Sequence, residues 1–291
     1  MSLDALLEQE KLPASFRHVI DAVYVPLAKR ITTEANQCGR AFIVGLCGAQ
    51  GSGKSTAAGV LKVLLEAQGI STAVLSLDDF YLTRAERLEL AARVHPLLAT
   101  RGVPGTHDVE LGLTILDALN SSGHVALPRF DKAVDDRSNE STWLKVQAPV
   151  RVVIFEGWCM GAKAQSGSAL AQPINSLEKE LDVDGTWRRY VNAQLAGVYQ
   201  TLFKRIDYLV LLAAPSFEIV YAWRLEQERK LHERLAAEAK PSRVMNDEQI
   251  ARFIQHYERL TRHILEEMPS HADVVLSLDA ERRVAEARDS R

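Results

Sequence analysis

The chain has 291 residues, 47% apolar and 25% charged, with 35 Lys and Arg against 38 Asp and Glu for a formal net charge of -3. These values describe one or two folded domains and exclude a mainly disordered, collagen-like or nucleic-acid-coating chain. The most apolar run, residues 208–214, is far shorter than the roughly 20 residues a spanning helix needs, and residues 1–10 carry Asp4, Glu8 and Glu10 where a secretory signal has a basic start.

Cys38, Cys47 and Cys159 are odd in number and widely spaced, so neither a disulfide framework nor a cysteine zinc site is expected. A cytoplasmic protein with no membrane or nucleic-acid partner is the simplest reading.

Phe16, Val19, Ile20, Val23, Leu27 and Ile31 recur at helical spacing, with Pro26 as a kink and Gly39 as the stop. An apolar run at 41–47 reads as a buried strand, 48–53 as a glycine-rich turn and 54–68 as a helix stopped by Gly69. A second strand at 71–77 ends in Asp78-Asp79. Strand, glycine loop, helix, strand is a βαβ unit, which implies a parallel sheet flanked by helices. Helices follow at 83–94 and 109–120, around an ordered loop at 95–108, and 128–141 is a charged loop. A third strand at 151–155 ends in Glu156-Gly157, and 159–173, rich in Ala, Gly, Ser and Gln, reads as mobile. Helices at 175–181 and 186–205, a strand at 207–213, long helices at 217–239 and 247–267 and a strand at 272–278 complete the chain. Asn246 with Gln249 makes a capping box for the last helix. The expectation is one α/β domain over 1–291, of P-loop NTPase type. A helical extension at 1–39 precedes a core at 40–291 with loop and helical insertions.

Gly48-Ala-Gln-Gly51-Ser52-Gly53-Lys54-Ser55 fits G-x-x-x-x-G-K-[ST] and falls between a strand and a helix, the context this motif requires. Backbone N–H groups must converge on phosphates there, and side chains at the glycines would obstruct them. Lys54 reaches the β- and γ-phosphates, the Ser55 hydroxyl ligates Mg²⁺, and Thr56 is placed to touch phosphate. A guanine-reading N-K-x-D is absent, and the one D-x-x-G, at 182–185, follows a helix and reads as a turn. Both features count against a GTPase.

Ligands of an open parallel sheet bind beyond the C-terminal strand ends. Asp78, Asp79 and Glu156 stand there. Glu156 follows four apolar residues as a Walker-B-type acid does, and it belongs with Ser55 in the Mg²⁺ shell. A kinase also needs a group to orient the acceptor hydroxyl and take its proton, for which Asp78 and Asp79 are the candidates. Neighbours on a strand point to opposite faces, so the two acids cannot share that role. Arg224, set among aromatics, is the lid cation for charge on the transferring phosphoryl group. Arg229, Lys230 and Arg234 read as a solvated face mixed with Glu226, Glu228 and Glu233. On the acceptor side, Arg129, Lys132 and Arg137 suit a small carboxylate. His107 and Asp108 suit hydroxyls, although His107 equally suits a helix cap. The scattered histidines lack metal-ligand spacing.

The P-loop, Leu-Asp-Asp-Phe-Tyr at 77–81, Pro-Gly-Thr-His-Asp at 104–108, Pro-Arg-Phe-Asp-Lys at 128–132, Phe-Glu-Gly-Trp at 155–158 and Trp-Arg-Leu-Glu at 223–226 occur in this order. Together they resemble the plant-type D-glycerate 3-kinase family, of the phosphoribulokinase, uridine kinase and pantothenate kinase group. The resemblance runs from residue 42 to residue 269 and includes Met245, Phe253 and Tyr257. It departs at 245–248, Met-Asn-Asp-Glu in place of Met-Ser, and in the helices before Gly39. It implies ATP-dependent phosphorylation of the 3-hydroxyl of D-glycerate, with ATP and Mg²⁺ bound at Lys54 and Ser55. It further implies Asp78, two places before the aromatic, as base, and leaves Asp79 to the Mg²⁺ shell or a helix cap. Glu156 then supports the metal and Arg224 the lid, and Tyr81 joins His107, Asp108, Arg129, Lys132 and Arg137 around a glycerate-like hydroxy acid. Two alternatives stay open: a related kinase acting on a nucleoside or pantothenate, and a non-catalytic ATP-binding regulatory module. Oligomeric state is not legible.

Overall fold

The computed structural model describes residues 2–237 and 246–289. Met245 and the end of the helix expected at 217–239 lie outside them, as do the side chains of Glu228, Lys230, Glu233 and Arg234. Three helices come first: α1 (Leu3–Gln9), α2 (Phe16–Val19) and α3 (Val25–Gln37). A π-helical segment, Ile20–Tyr24, joins the last two just before Pro26, so the expected kink is a widened turn ahead of the proline. Leu6, Leu7, Ile20, Leu27 and Ile31 belong to the same buried cluster as the sheet.

The chain continues through β1 (Phe42–Gly48), α4 (Lys54–Ala67), β2 (Thr72–Ser76), α5 (Arg84–Arg93) and α6 (Val109–Ala118). Next come β3 (Gly123–Leu127), β4 (Phe130–Asp131), β5 (Asp136–Arg137), β6 (Leu144–Ala148) and β7 (Val152–Gly157). The last third holds α7 (Ser176–Leu181), α8 (Thr186–Ala196), α9 (Val198–Phe203), β8 (Tyr208–Ala213), α10 (Phe217–Ala237), α11 (Asp247–Glu267), β9 (Val274–Leu278) and β10 (Val284–Asp289).

The main sheet runs β10-β9-β8-β1-β7-β2. Its pairs are parallel except β9 with β10. Every residue of β1 and β7 is buried, as continuous apolar runs in the centre of a helix-covered parallel sheet must be. The fold is therefore α/β, with a mainly parallel sheet flanked by helices. The register sets Leu46 opposite Glu156 and Ser76 opposite Glu156, so β1, β2 and β7 end level with one another beneath the P-loop. The edge strand β10 exposes Glu286, Arg288 and Asp289, charges that discourage further strand pairing.

Four features depart from the sequence expectations. The 123–148 region forms two antiparallel pairs, β3 with β6 and β4 with β5, around part of the stretch read as a loop. The helix expected at 186–205 breaks at Gly197, whose N–H bonds back to the Ala193 carbonyl at 2.9 Å. The terminal strand β10 adds an antiparallel edge. Residues 159–173, read as mobile, are instead fastened. Cys159, Met160 and Ala162 are buried, and Arg259 donates to the carbonyls of Ala169 and Gln172, both at 2.7 Å. Arg188 likewise donates to the Leu170 carbonyl at 2.8 Å. Asp182 to Gly185 is the turn expected, closed by Gly185 N–H on the Asp182 carbonyl at 3.0 Å. The three cysteines are unpaired. Among the described residues no helix is long and apolar enough to cross a membrane.

Arg259 also holds Glu178, fully buried, through two hydrogen bonds of 2.7 Å. Losing one partner of such a pair strands the other charge in the interior. Arg259→Leu is expected to lower stability by about 3–5 kcal/mol. Urea unfolding of the purified variant measures it, and a change below about 1 kcal/mol would show that water reaches the pair.

Candidate active site

Gly51 and Gly53 hold φ of +80° and +86°, left-handed values that turn the chain from β1 into α4. A Cβ at Gly51 would stand 2.7 Å from that of Trp223, and one at Gly48 would stand 2.6 Å from the Ser52 hydroxyl. Glycine is needed at these two positions for space. Lys54 and Ser55 open α4, whose N-terminus favours an anion. Ser55 donates to Glu156 Oε1 at 3.0 Å, and Lys54 Nζ lies 4.0 Å from Glu156 Oε2. Glu156 is buried, and its Oε2 has no hydrogen-bond partner among the described residues. A hydroxyl and a carboxylate with a spare buried oxygen suit a hard cation such as Mg²⁺.

These groups border a cleft of about 600 Å³ that also takes in Gly51, Asp78, Asp79, Arg129, Lys132 and Arg224. Asp78 and Asp79 do not continue β2. They lie in a one-turn 3₁₀ segment, Leu77–Phe80, so strand alternation does not apply and both reach the cleft. Asp79 accepts from Arg129 at 2.9 Å and from the Phe130 N–H at 3.1 Å, one oxygen each. Burial raises its pKa against the opposing pull of these two donors. Asp78 accepts from Lys132 Nζ at 2.6 Å and from the Tyr81 hydroxyl at 2.8 Å. Burial alone would raise its pKa, but the Lys132 and Lys54 ammonium groups and these hydrogen bonds outweigh it and hold the carboxyl well below the usual range. Arg224 lies over the Phe253 ring, 5.7 Å from its centroid.

The other candidates stand back from the cleft. Tyr81 stacks on His107 at 4.6 Å, and His107 Nδ1 meets the Tyr199 hydroxyl at 2.6 Å. These three side chains form a buried layer behind Asp78. Asp108 caps α6 by accepting from the Leu111 N–H at 2.9 Å, and Arg137 pairs with Asp108 at 3.1 Å and with the Tyr81 carbonyl at 3.2 Å. Thr56 faces the Glu10 carboxylate at 3.5 Å. Gly48, Ser52 and Gly53 shape the loop from below, with Ser52 N–H on the Ala49 carbonyl at 3.1 Å.

One residue at the site escaped the sequence. Arg282 stands at φ +66° in the β9–β10 turn and donates to the Gly51 carbonyl at 2.7 Å. It also lies over the Trp223 ring and pairs with Glu226 at 2.6 Å. Nothing local marks it, because Gly51 is 231 residues away.

The chain is 38% identical over 253 residues to the uncharacterized kinase mug58 of Schizosaccharomyces pombe, covering 84% of this chain and 87% of that one. It is 31% identical over 226 residues to the chloroplastic D-glycerate 3-kinase of Arabidopsis thaliana, covering 74% of this chain and 46% of the plant protein. The solved D-glycerate 3-kinase of Cryptococcus neoformans superposes with a TM-score of 0.74 at 26% identity, over 92% of this chain and 99% of that one. The chain belongs to the D-glycerate 3-kinase family of P-loop kinases. As a member of this family it is an ATP-dependent kinase. The family described as methylmalonyl Co-A mutase-associated GTPase MeaB matches residues 22–81 alone, the stretch around the P-loop unit.

Two predictions follow from this geometry. Arg282→Ala frees the Gly51 carbonyl and is expected to raise the KM for ATP by about tenfold, the effect of one charge-assisted hydrogen bond. Steady-state kinetics with circular dichroism checks it, and an unchanged KM in a folded variant would reduce Arg282 to a packing role. Separately, burial holds His107 and His256 down to about 4 from 6.5. The unfolded chain therefore binds more protons than the folded one between those values. Stability is expected to fall as pH drops from 6.5 to 4, by up to about 1.4 kcal/mol per pH unit for each histidine. Urea midpoints across that window measure the slope, and His256→Gln should make it shallower.

Proposed function

We propose that this kinase transfers the γ-phosphoryl group of ATP to the hydroxyl of a small hydroxy acid, with D-glycerate and its 3-hydroxyl as the acceptor of choice. The observation that carries the reading is the division of one cleft into two halves. Lys54, Ser55 and Glu156 face it from the P-loop and β7, and Asp78 and Asp79 face it paired with Lys132 and Arg129 respectively. The first half suits a nucleotide phosphate chain, and the second suits a hydroxyl and a carboxylate on one small molecule. The 31% identity to a D-glycerate 3-kinase supports the same choice.

In this reading Lys54 holds the β- and γ-phosphates and Arg224 meets charge spreading over the transferring group. Ser55 and Glu156 are the residues to hold Mg²⁺, which when bound neutralises the phosphate oxygens. Asp79 has its oxygens committed to Arg129 and Phe130, so its part is to fix the β4–β5 hairpin and not to ligate metal. Asp78 accepts the acceptor hydroxyl. The new bond joins that oxygen to phosphorus, the bond to the β-phosphate oxygen breaks, and the proton passes to Asp78. A loose transition state asks little basicity of the acid until late in the transfer, when the proton leaves the acceptor oxygen.

ATP consumption with D-glycerate, other hydroxy acids, uridine and pantothenate is the deciding assay. D-Glycerate should be turned over best, and phosphorylation of uridine or pantothenate without glycerate would reject the acceptor. Lys54→Ala should lose activity by several orders of magnitude. Asp78→Asn should cut kcat by about 10²–10⁴-fold and leave nucleotide Kd nearly unchanged. If Asp79→Asn shows that pattern instead, the two acids exchange roles.

A further inference from the structure

The two ion pairs at the acceptor end of the cleft are built differently. Arg129–Asp79 is backed by the Phe130 amide, a donor fixed in the backbone of the β4–β5 hairpin. It fastens the hairpin to the turn after β2. Lys132–Asp78 has no such backing. The Lys132 side chain is 59% exposed, as is that of Arg129, but it follows the first strand of the hairpin and, among the described residues, its ammonium is held by Asp78 Oδ2 alone at 2.6 Å. A four-carbon stem lets that charge swing over several ångströms with its Cα fixed. Asp78 itself cannot move far, because its other oxygen is bonded to Tyr81, which is packed on His107. Only one side of this pair is free to leave.

The pair also opposes the reaction. An ammonium at 2.6 Å occupies the carboxylate oxygen that Tyr81 leaves open and lowers the affinity of Asp78 for the very proton it must take. An acceptor that brings its own carboxylate offers Lys132 a competing partner of the same kind.

We propose that Lys132 is a specificity-determining exchange residue: the carboxylate of the acceptor takes its ammonium from Asp78, which frees Asp78 to receive the hydroxyl proton. The proposal rests on the hydroxy-acid reading of the acceptor. It makes the acceptor's negative charge a requirement for the chemical step as well as for binding. An uncharged alcohol of the same size leaves Lys132 on Asp78 and is phosphorylated only slowly. The attraction therefore discriminates twice, once in holding the acid and once in releasing the base.

The test compares D-glycerate with glycerol, which keeps the three-carbon frame and the hydroxyls and lacks the carboxylate. Wild-type enzyme should prefer glycerate strongly. Lys132→Met removes the ammonium and keeps the stem. Its kcat/KM for glycerate should fall at least about tenfold, the loss of one charge-assisted contact. Its kcat with glycerol should rise by a similar factor above wild type, while the KM for ATP stays within about twofold. Lys132→Arg, which keeps the charge, should remain closed to glycerol. A residue that only supported the hairpin would lower both substrates together, so parallel losses in Lys132→Met overturn the exchange, as does wild-type turnover of glycerol equal to that of glycerate. If wild type transfers to no hydroxy acid yet consumes ATP with another acceptor, the acceptor reading falls and the exchange falls with it. If glycerate is turned over and only the gain with glycerol is missing, the exchange alone is rejected.

Discussion

A phosphate cradle requires backbone N–H groups that converge, and neither a helix nor a strand provides them. The loop between β1 and α4 meets this requirement with two left-handed glycines, and of its own five residues Ser52 closes one hydrogen bond, on the Ala49 carbonyl. The support comes from the far end of the chain. Trp223 of α10 packs against Gly51 so closely that no Cβ fits, its indole N–H reaches the Ala280 carbonyl at 2.6 Å, and Arg282 bonds the Gly51 carbonyl. The sheet order makes this contact, because β8 lies beside β1 and β9 beside β8. The helix after β8 and the turn after β9 are thereby carried to the same edge of the loop. The late strands of the fold thus serve the first motif of the sequence.

The half of the cleft around Asp78 and Asp79 depends on a different anchor. Arg87 is almost fully buried and spends its donors on carbonyls: Leu82 at 3.2 Å, Ala99 at 2.8 Å and Asp135 at 2.7 Å. Its guanidinium also pairs with the Asp135 carboxylate at 3.0 Å and lies over the Phe130 ring, where Arg101 joins it. One planar cation with a fork of donors can tie three chain segments together, which a lysine cannot. It sets the β4–β5 hairpin over the turn that holds Asp78 and Asp79. The short strands of that hairpin, two residues each, are too few to place it alone.

What the sequence made legible were the features whose causes are local. The P-loop, the buried strands β1, β7 and β8, the capping box at Asn246 and Gln249, and the acids beside strand ends each depend on residues within a few positions of one another. What it concealed were features whose partner lies far away in the chain. Arg282 and Arg87 look like surface charges until the topology supplies their carbonyls. The segment 159–173 has the composition of a loose loop, and is held by arginines from α8 and α11. His107, Asp108 and Arg137 carry the chemistry of a binding site, yet His107 meets Tyr81 and Tyr199 in the buried layer, and the half-buried Asp108 and Arg137 meet each other. Polar residue type identifies a capacity for hydrogen bonding, and only the fold assigns the partner.

That buried layer holds the acid beside it in place. Asp78 projects from a single 3₁₀ turn, a short element with little rigidity of its own. Behind it Tyr81, His107 and Tyr199 pack ring to ring, and Tyr199 also accepts the Gly105 N–H at 2.9 Å. Burial keeps the His107 ring neutral through the physiological range, so this support carries no charge that would compete with Lys54 or Lys132 for the carboxylate. A charged imidazole there would hold Asp78 lower still. Rigid neutral packing on one side and two ammonium groups on the other let the position and the basicity of the same carboxylate be set separately.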